Sequence, residues 1–272
     1  NHRGPMNRSE CRAEGGGQRT LTDDFIPFRN ELLEVVRCIS IYADDAGYGP
    51  LLHSFFERVA EYFYPPDGMT SWNETDFDIF RFIGWEMYLH VCTAVFLSGR
   101  PDLFEAIVGT PYYSEGAARR HGGHRAIQSF DIFSNRIAIL EARNQQLQQR
   151  RLVPEADLIK ARCADSPHDF DSIMQIDFIL YMRAEIHSSG RWVPQTLVYK
   201  ASHWQAPFKA FLKARSRLQF EGLAIYLAIS NKAELDAFVA DVAQKTKWSP
   251  KWDWDRLDPA KLTDHENLCT IP

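Results

Sequence analysis

The sequence predicts an all-α protein, a multi-helix bundle of about nine helices with little or no sheet. Apolar residues recur every three or four positions in most segments between residues 23 and 247. This spacing places them on one side of a helix. Proline, glycine and aspartate cluster between these segments, as in Pro65–Gly68, and mark turns. Only Trp192–Tyr199 has the composition of a strand, and its proline restricts it to a sheet edge or an extended connector.

The composition is that of a globular protein that can bury a core, with 45% apolar and 25% charged residues among 272. The formal net charge of -5 does not favour nucleic-acid binding by the whole molecule, although local basic patches remain open. Five cysteines lie far apart without a CxxC pair, which argues against a disulfide framework or a zinc knuckle and predicts a cytoplasmic, reducing environment. The longest apolar run, Ile79–Leu97, is interrupted by charged residues, so no membrane span is predicted.

The domain organisation follows from shifts in composition. Residues 1–22 are polar and contain three consecutive glycines, which predicts a flexible lead. Residues 23–113 and 124–247 form two helical halves that can also make one domain, and residues 248–272 form an irregular, Trp-rich tail. The first residue is Asn1 rather than Met, so we expect the chain to be part of a longer protein.

The N-terminal half contains four predicted helices. The first covers Phe25–Tyr42, the second begins at Leu51 and ends before Pro65, and a short fourth covers Asp102–Val108. The third, from about Thr75 to Ser98, is apolar on nearly all sides, which is typical of a central helix. Ser114–Gly123, between the halves, is predicted to be a mobile loop.

The C-terminal half begins with a predicted long helix, Ile127–Arg151. Its apolar residues alternate at steps of three and four, with Asn144 at one position of the seam, so they form a short heptad pattern. Packing within the domain is favoured over a dimer seam. Further helices are predicted at Pro154–Cys163, Phe170–Ile186, Phe208–Leu218, Leu223–Ile229 and from Asn231 to about Val242.

An acidic cluster lies at the start of the third helix and within it. It contains Glu74, Asp76, Asp78 and Glu86, and carboxylate oxygens are ligands for Mg²⁺ or Ca²⁺. The first three alternate along the chain and are the candidate metal ligands. The alternative is that Thr75 and Asp76 cap the helix, where negative charge is favourable.

A basic cluster lies in the predicted loop. Arg119, Arg120, His121, His124 and Arg125 together offer the donors that bind a phosphate or nucleotide. The alternative is a solvated loop. No cofactor is predicted.

A second basic cluster contains Lys209, Lys213, Arg215 and Arg217, interleaved with aromatic residues. Such residues can hold a single nucleic-acid strand or an acidic protein partner. A basic stripe on the predicted long helix supports the same interpretation. The alternative is an exposed helix face whose aromatic residues pack in the core.

Isolated polar residues in apolar segments are read as structural. Asp177 is predicted to be buried beside a partner such as Arg183 or a backbone donor, because an unpaired buried carboxylate is costly. His53 and His90 are read as core or boundary histidines. The tryptophans of the tail are read as anchors to the core.

Four stretches of the sequence form a recognisable combination: Phe28–Arg29, LLHSFFE (Leu51–Glu57), ETDFDIFRF (Glu74–Phe82) and RNQQLQQRRL (Arg143–Leu152). Together they resemble uncharacterised helical regions of bacterial proteins in multidomain defence or signalling systems. In such proteins the helical C-terminal region follows a TIR, sirtuin-like or ATPase effector. The resemblance implies a non-catalytic module for sensing, binding or oligomerisation, with a protein partner or self-association.

Two other functions remain open at this point. The first is a metal-dependent enzyme acting on nucleic acid or a nucleotide, and the second is a sequence-independent nucleic-acid binder. The chain contains no GxGxxG, GxxxxGK[ST], HExxH or GxSxG motif. We therefore predict no catalytic residue and lean towards a protein that is not an enzyme.

Overall fold

The computed structural model describes residues 22–42, 47–121, 126–134, 136–201, 205–253 and 255–272. These residues form an all-α fold, which confirms the predicted class. All but one residue of the predicted flexible lead, together with His124 and Arg125, lie outside the described residues. The backbone of His121 is described, but its side chain is not.

Twelve α-helices are assigned within these ranges. They are α1 Ile26–Tyr42, α2 Tyr48–Glu61, α3 Asp78–Leu97, α4 Pro101–Val108, α5 Glu115–His121, α6 Ala138–Gln146, α7 Pro154–Arg162, α8 Phe170–His187, α9 Lys209–Lys213, α10 Arg217–Leu227, α11 Lys232–Ala243 and α12 Pro259–Leu262. Two short antiparallel pairs add β1 Tyr112–Tyr113 to β2 Ile127–Gln128, and β3 Lys251–Trp252 to β4 Asp255–Arg256.

Helix α3 is the central helix, as its apolar composition predicts. It is preceded by a 3₁₀ turn, Glu74–Phe77, whose capping box joins Asn73 and Asp76. Most of its side chains are buried, and it contacts α1, α2, α4 and α8. Among the described residues, no helix is both long and apolar enough to cross a bilayer.

One cluster of buried apolar side chains extends from Leu33 to Leu268. Aromatic rings occupy its centre, where Tyr88 stacks on Phe133 with ring centroids 4.4 Å apart. Phe56 meets both rings edge-on. Leu262, in the C-terminal segment, is also fully buried in this cluster. Residues from both predicted halves and from the tail therefore belong to one hydrophobic core.

The predicted long helix Ile127–Arg151 is wrong. This segment contains β2, a 3₁₀ turn at Phe130–Phe133 and the nine-residue α6. The amide of Ile139 donates to the Asp78 carboxylate, and the amide of Ile137 donates to Glu155. Side chains from other parts of the chain thus bind backbone donors at the start of α6, and the apolar residues of the apparent heptad belong to two different elements.

The predicted mobile loop at Ser114–Gly123 is also wrong, because most of it forms α5. Two amides at the start of this helix, those of Glu115 and Gly116, donate to the Glu61 carboxylate at 2.8 and 3.1 Å. The Ser114 hydroxyl accepts a third bond from the Ala117 amide. These acceptors satisfy amides that a helix start leaves without partners.

The strand-like segment Trp192–Tyr199 contains a 3₁₀ helix, Gln195–Tyr199, instead of a strand. Trp192 is fully buried, and its indole nitrogen donates to Asp177 at 2.6 Å. The Thr196 amide and hydroxyl donate to the same carboxylate at 2.9 and 2.6 Å. The apolar composition of the segment therefore reflects burial around one carboxylate, not pairing in a sheet.

Candidate protein-binding surface

The second basic cluster lies where α9 meets α10. Phe211 is buried beneath α9, and the amide of Ala210 donates to the Gln175 side chain at 2.9 Å. The chain then turns at residues 214–216, which splits the helix predicted for Phe208–Leu218 into two. The C-terminal residues hold this turn, because Ile271 accepts from the Arg217 amide and donates to the Arg215 carbonyl, both at 2.9 Å.

The four basic residues of this cluster differ in how their charges are compensated. Arg215 is bound to Asp264 at 2.6 Å. Lys209 is exposed, and it helps to lower the pKa of Asp169, which is lowered mainly by hydrogen bonds from Ser172. Lys213 and Arg217 are exposed and form no salt bridge with any described residue. Positive charge is therefore least compensated at the turn between α9 and α10.

Exposed apolar side chains lie beside this turn and along α10. Leu218 is 71% exposed and Ile225 is 53% exposed, although both lie on an α-helix with a buried face. Leu212 on α9 and Ile271 beside the turn are exposed as well. We call the set Leu212, Lys213, Arg217, Leu218, Gly222, Ile225 and Ile271 the α9–α10 surface. It combines exposed apolar area with two basic groups that form no salt bridge within the described residues.

The first basic cluster has a different arrangement. Arg119 lies 3.1 Å from Glu115 one helical turn away on α5. Arg120 is bound to Glu74, and its guanidinium lies over the Trp72 ring, 5.2 Å from the centroid. Both described arginines thus have carboxylate partners, and an added phosphate would compete with those partners.

The three candidate metal ligands point to different partners. Asp76 accepts from the Asn73 amide at 2.9 Å as part of the capping box. Asp78 accepts from Arg81 at 3.0 Å and from the Ile139 amide at 2.9 Å. Glu74 binds arginines, and its pKa is lowered, first of all by the hydrogen bond from Arg120. In the described ranges no group of three His, Cys, Asp or Glu residues has an arrangement that holds a metal ion.

A buried ionic network joins α1, α3 and α7, and sequence reasoning missed it. Glu86 of α3 accepts from Arg29 at 2.6 Å and from Arg162 at 2.9 and 2.8 Å. All three side chains are at most 3% exposed. Arg162 also reaches Asp23 at 2.9 Å. The available signal was a single glutamate inside an otherwise apolar helix, since a buried charge requires a partner.

Two histidines lie beside this network. His90 is fully buried, and its Nδ1 lies 3.2 Å from the Ser166 hydroxyl and 3.4 Å from His168 Nδ1. Its Nε2 has no described hydrogen-bond partner. Burial lowers the pKa of His90 well below its ordinary value and that of His168 to about 4, and the charge of Arg29 acts in the same direction. Both rings are therefore neutral at pH 7.

Asp177 is buried, as predicted, and a backbone donor is among its partners. Its other donors are Trp192 and the Thr196 hydroxyl rather than Arg183. Burial raises the pKa of Asp177 to about 6, against the opposing effect of these hydrogen bonds. Arg183 instead binds Glu105 at 2.6 Å.

A cleft of about 310 Å³ lies beside the Arg183–Glu105 pair. His187 and the hydroxyls of Ser129 and Ser189 also line it. Arg183 is neutralised by Glu105, and His187 Nε2 lies 2.9 Å from the Leu227 carbonyl. The described contacts of the ionisable groups in this cleft are thus structural.

Comparison of the chain with protein-family models, with curated proteins and with solved structures finds no match. The function is accordingly argued from the geometry of the surface and of the sites described above.

Proposed function

We propose that the protein is a non-catalytic helical module that binds an acidic protein partner through the α9–α10 surface. One observation carries this proposal: Lys213 and Arg217, which lack salt bridges within the described chain, lie among exposed apolar side chains. Apolar area supplies binding free energy when it is buried, and complementary charge speeds association and selects the partner.

The rest of the fold holds this surface in one conformation, which favours its use for binding. The turn at residues 214–216 is fixed by the C-terminal residues, and α9 is fixed by the buried Phe211. A surface held in one conformation loses little entropy when a partner binds. The candidate metal ligands and the arginines of α5 are bound to other residues of the chain. They therefore support a metal-dependent enzyme less well than the α9–α10 surface supports a binding module.

Nucleic acid is the alternative partner for the same basic groups. Its binding would rest on phosphate contacts and would weaken steeply as salt rises. A net charge of -5 opposes it, and the apolar residues of the surface favour a protein. Membership of a bacterial defence or signalling system stays a prediction.

The test is selection of binders from a peptide display library of known sequences, with the purified full chain as bait. We expect wild type to enrich peptides that combine acidic and apolar residues. The double variant Lys213→Glu/Arg217→Glu should bind the selected peptides at least about tenfold more weakly, a loss of roughly 1.4 kcal/mol. The matched control Arg58→Glu/Arg143→Glu makes the same charge change at two exposed arginines elsewhere.

Equal binding by the double variant and by wild type would overturn the proposal. So would the absence of any enriched acidic peptide. Tight binding of a 20-nucleotide single strand, with affinity falling steeply between 50 and 200 mM salt, would assign the surface to nucleic acid instead.

A further inference from the structure

We infer that the partner segment seated on the α9–α10 surface is an amphipathic α-helix, with acidic residues beside its apolar stripe, that crosses α10 at Gly222. The inference rests on the proposed function and adds the shape and the charge pattern of the partner.

The first step concerns the outer face of α10. Leu218 and Ile225 are seven residues apart and therefore lie on the same side of the helix. Phe220, Leu223 and Leu227 are buried on the opposite side. The outer face of α10 thus carries two exposed apolar side chains that a second helix would bury.

The second step concerns Gly222, which lies between the two exposed apolar residues. A Cβ added at this position would meet no atom within 4 Å, and the backbone there is ordinary helix. Glycine is less favourable than alanine inside a helix. Nothing in the described packing around α10 requires glycine here. The open space over Gly222, flanked by Leu218 and Ile225, suits the crossing of another helix, because small residues let two helix backbones approach closely.

The third step concerns charge. Arg217 is the first residue of α10, where the helix dipole adds positive potential, and Lys213 is the last residue of α9, just before the turn that leads into α10. Glu221 is exposed on the same face, between the two apolar residues. The partner helix is therefore acidic where it faces the beginning of α10, and neutral or basic where it faces Glu221.

The test uses three synthetic peptides of about 18 residues, long enough to form a helix in contact with a protein. The first is an amphipathic helix with leucines at i, i+4, i+7 and i+11 and flanking glutamates. The second has the same composition with a central proline, and the third has lysine in place of glutamate. Binding is measured by fluorescence anisotropy to the full chain, with helicity of the bound peptide measured by circular dichroism.

We expect the first peptide to bind, and the other two to bind at least about tenfold more weakly. Gly222→Ala should raise the melting temperature of the free protein and yet weaken the first peptide severalfold, because the added methyl keeps the helices apart. Gly222→Leu and Leu218→Ser/Ile225→Ser should abolish binding. Ile139→Ser, at another exposed apolar residue, is the control and should bind as wild type does.

The outcomes separate this inference from the proposed function. If the proline peptide binds as well as the first, and Lys213→Glu/Arg217→Glu still weakens it, the acidic partner stands and the helix is overturned. If Gly222→Leu binds the first peptide unchanged, the crossing point is overturned. If wild type self-associates and Gly222→Leu is monomeric by sedimentation, the occupant is a second copy of this chain, which overturns the inference. If no acidic peptide binds, both proposals fail.

Discussion

At the scale of single residues, Glu86 joins three segments that are distant along the chain. Its two carboxylate oxygens bind guanidinium groups from α1 and α7, which lie 57 and 76 residues away along the chain. Each arginine is buried, so neither can exchange this partner for water. One carboxylate therefore compensates two buried cations, one of which, Arg162, has Asp23 as a second partner.

Replacing Glu86 with glutamine should destabilise the protein by about 3–5 kcal/mol, because the buried guanidinium of Arg29 loses its counter-charge and that of Arg162 keeps only Asp23. Urea unfolding followed by circular dichroism measures the change. Glu34→Gln is the matched control, since its pair with Arg37 on α1 is exposed to solvent and contributes little to stability. A loss at Glu86 no larger than that of the control would contradict the assignment of a charged network.

The two histidines beside this network predict how stability depends on pH. The folded pKa of His168 is about 4, below its ordinary value of 6.5. As the pH falls from 6.5 towards 4, the unfolded chain takes up a proton that the folded chain excludes, so stability falls. The loss approaches about 1.4 kcal/mol per pH unit for one such group.

The effect is isolated by comparing wild type with His168→Asn in urea at pH 7 and pH 5. Asp177 acts in the opposite direction, because its raised pKa makes its contribution to stability fall as the pH rises from about 4 to 6. Both proteins contain Asp177, so the difference between their losses of stability reports the effect of the His168 ring. Wild type should lose about 1–2 kcal/mol more than the variant on acidification, and equal losses would show that His168 titrates normally.

At the scale of elements, side chains distant in sequence determine where some helices begin. Glu61 accepts from the first amides of α5, and Asp78 accepts from an amide at the start of α6. Neither acceptor is within 50 residues of the donor it serves. Local patterns predict α1, α3 and α8 correctly because their apolar periodicity is continuous. They cannot predict elements that end or begin at a partner supplied by the fold.

Glycines on two helices are predicted to respond to alanine in opposite ways. At Gly84 of α3, an added Cβ would lie 2.5 Å from the buried Phe63 ring, which follows α2, so this ring and α3 would be forced apart. Gly84→Ala should cost about 1–3 kcal/mol, as overpacking does. At Gly222 the space is open, and alanine should add about 0.5–1 kcal/mol.

Thermal unfolding of the two variants beside wild type measures both changes. The pair controls for the substitution itself, since each replaces one glycine inside a helix with the same residue. A higher melting temperature for both variants would mean that packing at Gly84 yields more easily than the distances indicate, and a lower one for both would contradict the prediction for Gly222.

At the scale of the whole molecule, the fold was more predictable than the candidate site. The helical class and the central helix α3 follow from spacing and composition. The basic members of the α9–α10 surface were also identified in the sequence. Their apolar neighbours were not, because Leu218 has the spacing of a core residue and only the orientation of α10 exposes it. The buried ionic network of Glu86, Arg29 and Arg162 was not predicted either, because it forms only when three segments distant in sequence come together.

The continuous core predicts that the C-terminal residues stabilise the whole molecule and not only the surface that they hold. Leu262 is fully buried, and its carbonyl accepts from the Phe208 amide at 3.1 Å. Leu262→Ala should cost about 2–5 kcal/mol through lost burial and the cavity left behind. If the core unfolds as one unit, slow hydrogen exchange in α3 should be accelerated as much as exchange in α11, although α3 lies far away in sequence.

Hydrogen exchange with mass spectrometry resolves the two helices in one experiment. Leu218→Ala is the matched control, because this leucine is exposed and its truncation should leave protection in both helices within about 0.5 kcal/mol of wild type. Protection lost in α11 alone, with α3 unchanged, would show that the two halves open separately. Loss of equal size in both helices would mean that α3 and the C-terminal residues unfold in a single cooperative step, as one shared core requires.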